Sequence, residues 1–158
     1  MSDFSGRSLN RLNRIIKNGA FWPDLELGEL QEQYRIPSEY REETILHQLI
    51  LATVEVNQQL ADERCQWVRN GWERLQDVPD EEIGAIEALI PTRVILYKQA
   101  VYTFAKAKLM QHYASMNRRD RADHEGRDQD TVDGLFAMSE RAVHLLRGQT
   151  TSIDVVLL

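Results

Sequence analysis

Glutamate and histidine occur as two pairs with a spacing of four residues, Glu43 with His47 and Glu140 with His144. On a helix each pair would share one face, where a carboxylate and an imidazole can hold a metal ion. The di-iron sites of ferritin-like bundles instead need Glu and His three residues apart, together with two further carboxylates. His47 also projects from the side of its helix opposite the main apolar face. We therefore expect exposed ion pairs and no bound metal or other cofactor.

Cys65, the only cysteine in the chain, is a candidate nucleophile. Arg64 lies beside it, but no base with an evident partner is available to activate the thiol. The sequence contains no glycine-rich phosphate loop and no serine in a nucleophile elbow. A single cysteine also excludes an intrachain disulfide and favours assembly in a reducing cytosol. These residues predict that the protein is not an enzyme.

The composition is typical of one globular domain. Of the 158 residues, 42% are hydrophobic and 28% are charged, and the formal net charge is −6. This length provides for a single core, and no apolar run approaches the roughly 20 residues that span a bilayer. The N-terminal basic residues precede no apolar segment with a cleavage site, so we expect neither a signal peptide nor a membrane partner. The negative charge argues against a protein that mainly coats nucleic acid.

Charge is unevenly distributed along the chain. Residues 1–20 contain four basic residues and one acidic residue, whereas residues 73–87 contain six acidic residues and one arginine. We interpret residues 1–20 as a flexible basic arm, which leaves open a DNA-binding regulator or accessory factor as an alternative function. Aspartate interrupts the other basic segment, Arg118-Arg119-Asp120-Arg121, and this argues against direct reading of a DNA sequence by that segment.

Hydrophobic periodicity predicts an all-α fold, a small helical bundle within residues 21–148. Ser38 is the expected N-cap of the longest helix, and Gly71 its left-handed C′ residue. Residues 71–90 should form an acidic connector and residues 117–130 a solvated loop. The predicted helices are a short helix over about 25–35, a long helix over about 38–70, a central helix over about 92–116 and a third helix over about 131–147.

The long helix carries apolar residues on two sides. Leu51 and Val54 lie on the far side, as does Cys65, and this second stripe indicates contact with another subunit. Trp22 and Trp72 are candidates either for the core or for an interface anchor. The main apolar face should contain Ile45, Leu46, Leu49, Ile50, Val56, Leu60, Trp67 and Val68.

The helix predicted over 92–116 is apolar around most of its circumference. Such a helix is typical either of the central element of a bundle or of an element buried by oligomerisation.

The chain ends in an apolar, β-branched segment, residues 149–158. A terminus this hydrophobic should be bound to its own bundle or to a neighbouring molecule. We expect an extended apolar arm that docks on a partner by strand addition. The predicted subunit or partner interface therefore consists of Trp22, Leu51, Val54, Trp72, Ile153, Val155, Val156, Leu157 and Leu158.

Five short motifs resemble, in order and spacing, the head completion protein family (GPL) of contractile-tailed phages. The resemblance covers roughly residues 21–147, and none of the motifs is catalytic. The motifs are Phe21-Trp22-Pro23-Asp24, Glu55-Val56-Asn57-Gln58-Gln59-Leu60, Gly71-Trp72-Glu73-Arg74-Leu75-Gln76-Asp77-Val78-Pro79, Tyr97-Lys98-Gln99-Ala100-Val101 and Arg141-Ala142-Val143.

The resemblance implies a non-enzymatic component of the virion, located at the head–tail neck and assembled in the host cytoplasm. Such a head–tail connector would join the capsid after DNA packaging, form a twelve-fold ring under the portal, stabilise the filled head and provide the tail attachment site. Its partners would be the portal protein, a tail-side neck or terminator protein and further copies of itself. DNA would pass through the channel without sequence-specific binding, because an acidic surface repels phosphates.

Overall fold

The computed structural model describes residues 14–80, 89–116 and 125–148, with the backbone alone for residues 125–130. Within these residues the prediction of an all-α bundle is confirmed, and two very short strands add a small antiparallel sheet. A turn of 3₁₀ helix, Leu75–Asp77, lies between the third and fourth helices. The elements in chain order are β1 (Ile15–Ile16), β2 (Leu25–Glu26), α1 (Leu27–Gln33), α2 (Glu42–Gln59), α3 (Ala61–Arg69), α4 (Thr92–Met116) and α5 (Glu125–Leu146).

Helix α4 is the centre of the bundle, and its bounds agree with the predicted 92–116. Both long neighbours run antiparallel to it. At one end of α2 the Arg41 amide donates to the Tyr113 hydroxyl, and at the other end Asn57 bonds to Tyr97. Residues of the same chain bury most of α4, including Tyr97, Val101 and Leu109. The apolar circumference of α4 therefore corresponds to the first alternative predicted for this helix, the central element of a bundle.

The predicted long helix is divided into α2 and α3 by a bend at Leu60, whose φ and ψ are −105° and 14°. The cause is a side chain from the end of α5. Arg147 Nη2 donates to the Gln59 carbonyl, and Arg147 Nε lies 3.1 Å from Glu63 Oε1. A side chain inserted into the hydrogen-bond ladder bends a helix in this way. Val68 is exposed, contrary to its predicted place on the main apolar face, and it lies five helical turns after Ile50, which is also exposed.

The predicted N-cap of the long helix at Ser38 is wrong. Helix α2 begins at Glu42 with Arg41 as its N-cap. The preceding residues form a turn, in which the Tyr40 amide donates to the Pro37 carbonyl. This turn places the Tyr40 ring on that of Tyr113, with 3.7 Å between ring centroids. The gain from this aromatic contact explains why the N-cap lies three residues later than predicted.

Gly71 occupies the predicted left-handed C′ position, with φ of 95°. The Trp72 amide donates to the Trp67 carbonyl and the Gly71 amide to the Val68 carbonyl, which is the Schellman pattern of a helix end. Helix α5 begins at Glu125, six residues before its predicted start, within a segment predicted to be a loop. Charged and polar residues are compatible with a helical backbone, so a lack of aliphatic side chains did not exclude helix there.

The N-terminal boundary also differs from the prediction. Residues 14–20 belong to the predicted flexible basic arm, but in the structure they contain β1 and the buried Asn18. Pairing with β1 also extends Leu25–Glu26, so that α1 begins at Leu27 rather than at 25. Residues 1–13 and 149–158 lie outside the described residues. In the part of the chain that is described, no helix is long and apolar enough to cross a membrane.

Candidate assembly surface

Four aromatic rings pack together where α2 and α3 meet the start of α4; Phe21, Trp22, Trp67 and Tyr97 form this aromatic cluster. Trp22 stacks on Tyr97 at 4.8 Å between centroids with an interplanar angle of 11°. Its edge meets Phe21 at 4.9 Å, and Phe21 stacks on Trp67 at 6.0 Å. Trp22 is only 8% exposed. Within one chain, this candidate interface residue therefore contributes to the core.

The segment that carries Trp22 is held by polar contacts on both sides. Gly19 turns the chain with φ of 73°, a conformation that favours glycine. Lys17 Nζ donates to Asp24 Oδ2 at 2.8 Å, and the Asn18 amide donates to Asp24 Oδ1 at 3.1 Å. The hydrogen bond from Lys17, with that from the Asn18 amide, lowers the pKa of Asp24 below its ordinary value. These contacts fix the orientation in which Trp22 enters the core.

A closed ring of hydrogen bonds lies beneath the aromatic cluster. Asn18 Nδ2 donates to the Tyr97 hydroxyl at 2.6 Å, this hydroxyl donates to Asn57 Oδ1, and Asn57 Nδ2 donates to Asn18 Oδ1 at 3.0 Å. Burial raises the pKa of Tyr97, so its hydroxyl remains a donor. The three side chains satisfy one another and join the N-terminal segment, α2 and α4.

Arg93, in the first turn of α4, is 1% exposed. Its Nε and Nη2 donate to the Pro79 carbonyl at 3.0 and 2.8 Å, and its Nη1 donates to the Leu146 carbonyl at 3.0 Å. The guanidinium also lies 5.3 Å from the centroid of the Trp67 ring and 3.7 Å from Asp80 Oδ1. One buried cation thus joins the acidic connector, the start of α4 and the end of α5.

A second polar group attaches α1 and β2 to the middle of α4. Lys98 Nζ donates to both oxygens of Glu29, at 3.0 and 2.9 Å, and the Tyr102 hydroxyl donates to Glu29 Oε2 at 2.6 Å. The same hydroxyl accepts from the Glu26 amide at 3.2 Å. Burial is the main cause that raises the pKa of Tyr102, and the hydrogen bond to the Glu29 carboxylate raises it further. The neutral hydroxyl therefore satisfies both the carboxylate and the backbone of β2.

The five motifs identified in the sequence converge on these contacts. Phe21-Trp22-Pro23-Asp24 supplies two of the four rings of the aromatic cluster. Asn57 and Tyr97 supply two of the three side chains in the ring of hydrogen bonds, and the Leu75 amide donates to the Phe21 carbonyl. Ala142 and Val143 of the last motif are buried in the same core. Trp72 packs against this core but remains partly exposed. The motifs therefore specify the packing at one end of the bundle rather than a reaction.

The exposed apolar side chains on α2 form a surface that the fold does not cover. Leu51 and Val54 are 47% and 50% exposed, as the sequence predicts, and Ile50 is also exposed. We call Ile50, Leu51 and Val54 the α2 patch. Ile50 was predicted to lie on the buried face, but its helical position places it at the edge of the exposed side. Contiguous exposed apolar side chains mark interaction sites.

A second exposed surface lies on α5 and was missed by the sequence analysis. Gly134, Met138, Arg141 and Leu145 are exposed and follow one another at helical spacings of three and four residues, and we call these residues the α5 patch. The sequence does indicate this surface: Met138 and Leu145 are seven residues apart, so they share one side of α5, away from its core-facing residues. Position 134 lacks a side chain, and a Cβ placed there would meet no atom within 4 Å.

The Glu–His pairs do not come together. Glu43 and His47 are exposed on α2, while Glu140 and His144 are exposed on α5. Among the described residues, no group of three or more His, Cys, Asp or Glu side chains is placed to hold a metal ion. Of the remaining predicted interface residues, Ile153, Val155, Val156, Leu157 and Leu158 lie outside the described residues.

Buried motifs that serve packing and exposed apolar patches on two helices are features of a structural assembly protein. Comparison with known proteins agrees with this class. The sequence model of the phage head completion protein (GPL) family matches residues 16–157. The chain belongs to the phage head completion protein (GPL) family, as its motifs predict.

Two curated relatives are similar over most of their lengths. The "Probable head completion/stabilization protein" of Haemophilus phage HP1 (strain HP1c1) is 29% identical over 147 residues, which are 92% of this chain and 94% of that protein. The "Head completion/stabilization protein" of Escherichia phage P2 is 27% identical over 140 residues, 88% of this chain and 80% of that protein. No solved structure matches the chain significantly.

Proposed function

We propose that this protein completes the phage head by forming a ring of identical subunits under the portal after DNA packaging. There it stabilises the filled head and provides the site to which the tail attaches. Family membership over residues 16–157 supports the role in head completion, and both relatives are named head completion/stabilization proteins. The single structural observation that carries the ring is the α2 patch, because apolar side chains on a helix face favour burial against another molecule.

The proposed partners are the portal protein on one side, a tail-side neck or terminator protein on the other, and the neighbouring copies within a twelve-fold ring. The proposed location is the head–tail neck of a virion that is assembled in the host cytoplasm. The net charge of −6 supports a channel through which DNA passes without being held, since carboxylates repel phosphates. No chemical step is required of the protein in this role.

Aspartate at position 51 or 54 should prevent ring assembly without unfolding the protein. Leu51 and Val54 are about half exposed, so we expect Leu51→Asp and Val54→Asp to change the free energy of unfolding by less than about 1 kcal/mol. In the ring, the same charges would be buried without partners, and head-bound copies should fall at least about tenfold. Denaturant titration and quantitative mass spectrometry of purified heads measure the two effects.

Gln66→Asp, on the exposed surface of α3, is the matched control and should leave assembly intact. Full assembly by both α2 variants would remove the α2 patch from the proposal.

Removal of residues 150–158 tests the proposed C-terminal arm, which docks on the portal or on an adjacent subunit by strand addition. The core contacts described above lie within residues 14–148, so we expect the shortened protein to keep its helical circular dichroism and its thermal midpoint. Capture by immobilised portal rings should be lost, because strand addition depends on the apolar segment. The variant Asp154→Asn keeps that segment and should bind normally. Unchanged capture of the shortened protein would exclude the arm.

A further inference from the structure

We infer that the ring interface pairs the α2 patch of one subunit with the α5 patch of the next, an inference that rests on the proposed function. The two patches lie on different helices, and both are exposed within their own chain, so neither covers the other in a single molecule. A contact between two different surfaces of identical subunits is heterologous, and its repetition produces a closed ring when the rotation between successive copies closes on itself. The occupant of the α2 patch is therefore a second copy of this chain.

The two patches lie at the same level along α4. Asn57 bonds to Tyr97, and Val54 precedes Asn57 by about one turn, so Val54 lies near the level of Ala100. On α5, Ser139 Oγ donates to the Ala100 carbonyl at 2.7 Å, and Met138 is its neighbour. Because α2 and α5 both run antiparallel to α4, they are parallel to each other. Their patches therefore match in level and in direction.

Equal levels are what a closed ring requires. Successive subunits in a ring are related by rotation alone, whereas an added translation along the axis produces an open helical filament. When the helices run along the ring axis, rotation brings the α2 patch of one copy against the α5 patch of the next without a shift.

Facing residues at these levels complement one another in size and charge. Val54 opposes Met138, so two apolar side chains meet. One turn earlier on both helices, Ile50 opposes Gly134, where the missing side chain provides space for it. Glu55, an exposed carboxylate beside the α2 patch, lies within about one residue of the level of Arg141. Opposite charges at the edge of an apolar contact set its direction and register.

Disulfide cross-linking in assembled heads tests the pairing directly. The exposed Cys65 is first replaced by serine, and Val54→Cys with Met138→Cys are then introduced into the same chain. Mild oxidation of purified heads should link successive copies into a ladder of covalent multimers, because each subunit contributes one cysteine to each of its two neighbour contacts. Non-reducing gel electrophoresis measures the ladder, which should collapse to monomer on reduction.

The controls separate this contact from others. Val54→Cys with Glu140→Cys places the second thiol on a different side of α5 and should give at least about tenfold less multimer. Val54→Cys alone should remain monomeric, since no copy then carries the facing thiol. Efficient dimers of the single variant would show α2 packed on α2, and equal ladders from both double variants would show unspecific proximity. Either result would overturn the pairing.

A charge exchange provides a second, independent test. Glu55→Arg and Arg141→Glu should each reduce head-bound copies about tenfold or more, because like charges then face each other across the contact. The double variant should restore assembly to near the wild-type level, an outcome that a merely structural effect of either residue would not produce. Absence of rescue, with both single variants folded, would contradict the pairing.

Failure of the proposed function gives a different result. If purified heads contain far fewer copies of the wild-type protein than one ring needs, the ring itself is wrong. If the copies are present in full but the paired cysteines do not cross-link, only the assignment of the two patches is wrong.

Discussion

Replacing Trp22 with alanine should destabilise the protein by about 3–5 kcal/mol, the cost of removing a large aromatic side chain from a packed core. The Trp22 side chain lies between Phe21, Trp67 and Tyr97. Its loss leaves a cavity beside the hydrogen-bonded side chains of Asn18, Asn57 and Tyr97. Denaturant unfolding followed by circular dichroism measures the change. This substitution should abolish head completion through loss of the folded subunit, and not through a surface contact.

The control for this prediction is Val68→Ala, on the exposed surface of α3 near the same cluster. It should change stability by no more than about 0.5 kcal/mol. If Trp22→Ala instead kept its wild-type stability and lost only assembly, Trp22 would act in the subunit interface after all.

Replacing Arg93 with methionine should destabilise the protein by about 3–5 kcal/mol. Methionine can fill part of the space but donates no hydrogen bond, so the Pro79 and Leu146 carbonyls lose the donors that Arg93 provides. Asp80 also loses the cation 3.7 Å from its Oδ1 atom. The end of α5 and the connector should separate first, which hydrogen exchange of amides near Leu146 would detect before global unfolding.

Arg93→Lys tests whether geometry or charge matters here. Lysine lacks the planar fork of donors with which Arg93 binds the two carbonyls, so it should recover less than half of the lost stability. Arg141→Ala removes an exposed arginine and should leave the free energy of unfolding of the isolated protein within about 0.5 kcal/mol of the wild type. Full recovery by lysine would mean that the charge, and not the two hydrogen-bonded carbonyls, is the dominant contribution.

The elements defined by local signals could be predicted from the sequence. Pro91 and a run without helix breakers define α4, and Gly71 defines the end of α3, since each signal depends on residues within a few positions. The bend at Leu60 could not be predicted, because its cause, Arg147, lies 88 residues from Gln59 in the sequence. Similarly, contact with Tyr113 moves the start of α2, although Ser38 is locally the better cap.

The candidate surface was predictable in part for the same reason. The exposure of Leu51 and Val54 follows from the periodicity of α2 alone. The α5 patch was less accessible to that reasoning, because the side of α5 that α4 covers depends on contacts such as Ser139 with Ala100. The sequence leaves Trp22 open between core and interface, because its burial depends on rings that are distant in the sequence, Trp67 and Tyr97.

All three tryptophans lie at one end of the bundle, where Trp72 follows the end of α3 and the other two belong to the aromatic cluster. Tryptophan fluorescence, excited at wavelengths too long for tyrosine to absorb, therefore reports on that end alone. The opposite end, where Tyr40 stacks on Tyr113, does not emit under the same excitation. The natural chain thus carries its own optical probe. Spectroscopists could use it, without any attached dye, to ask whether docking on a capsid disturbs one extremity of the molecule or leaves it untouched.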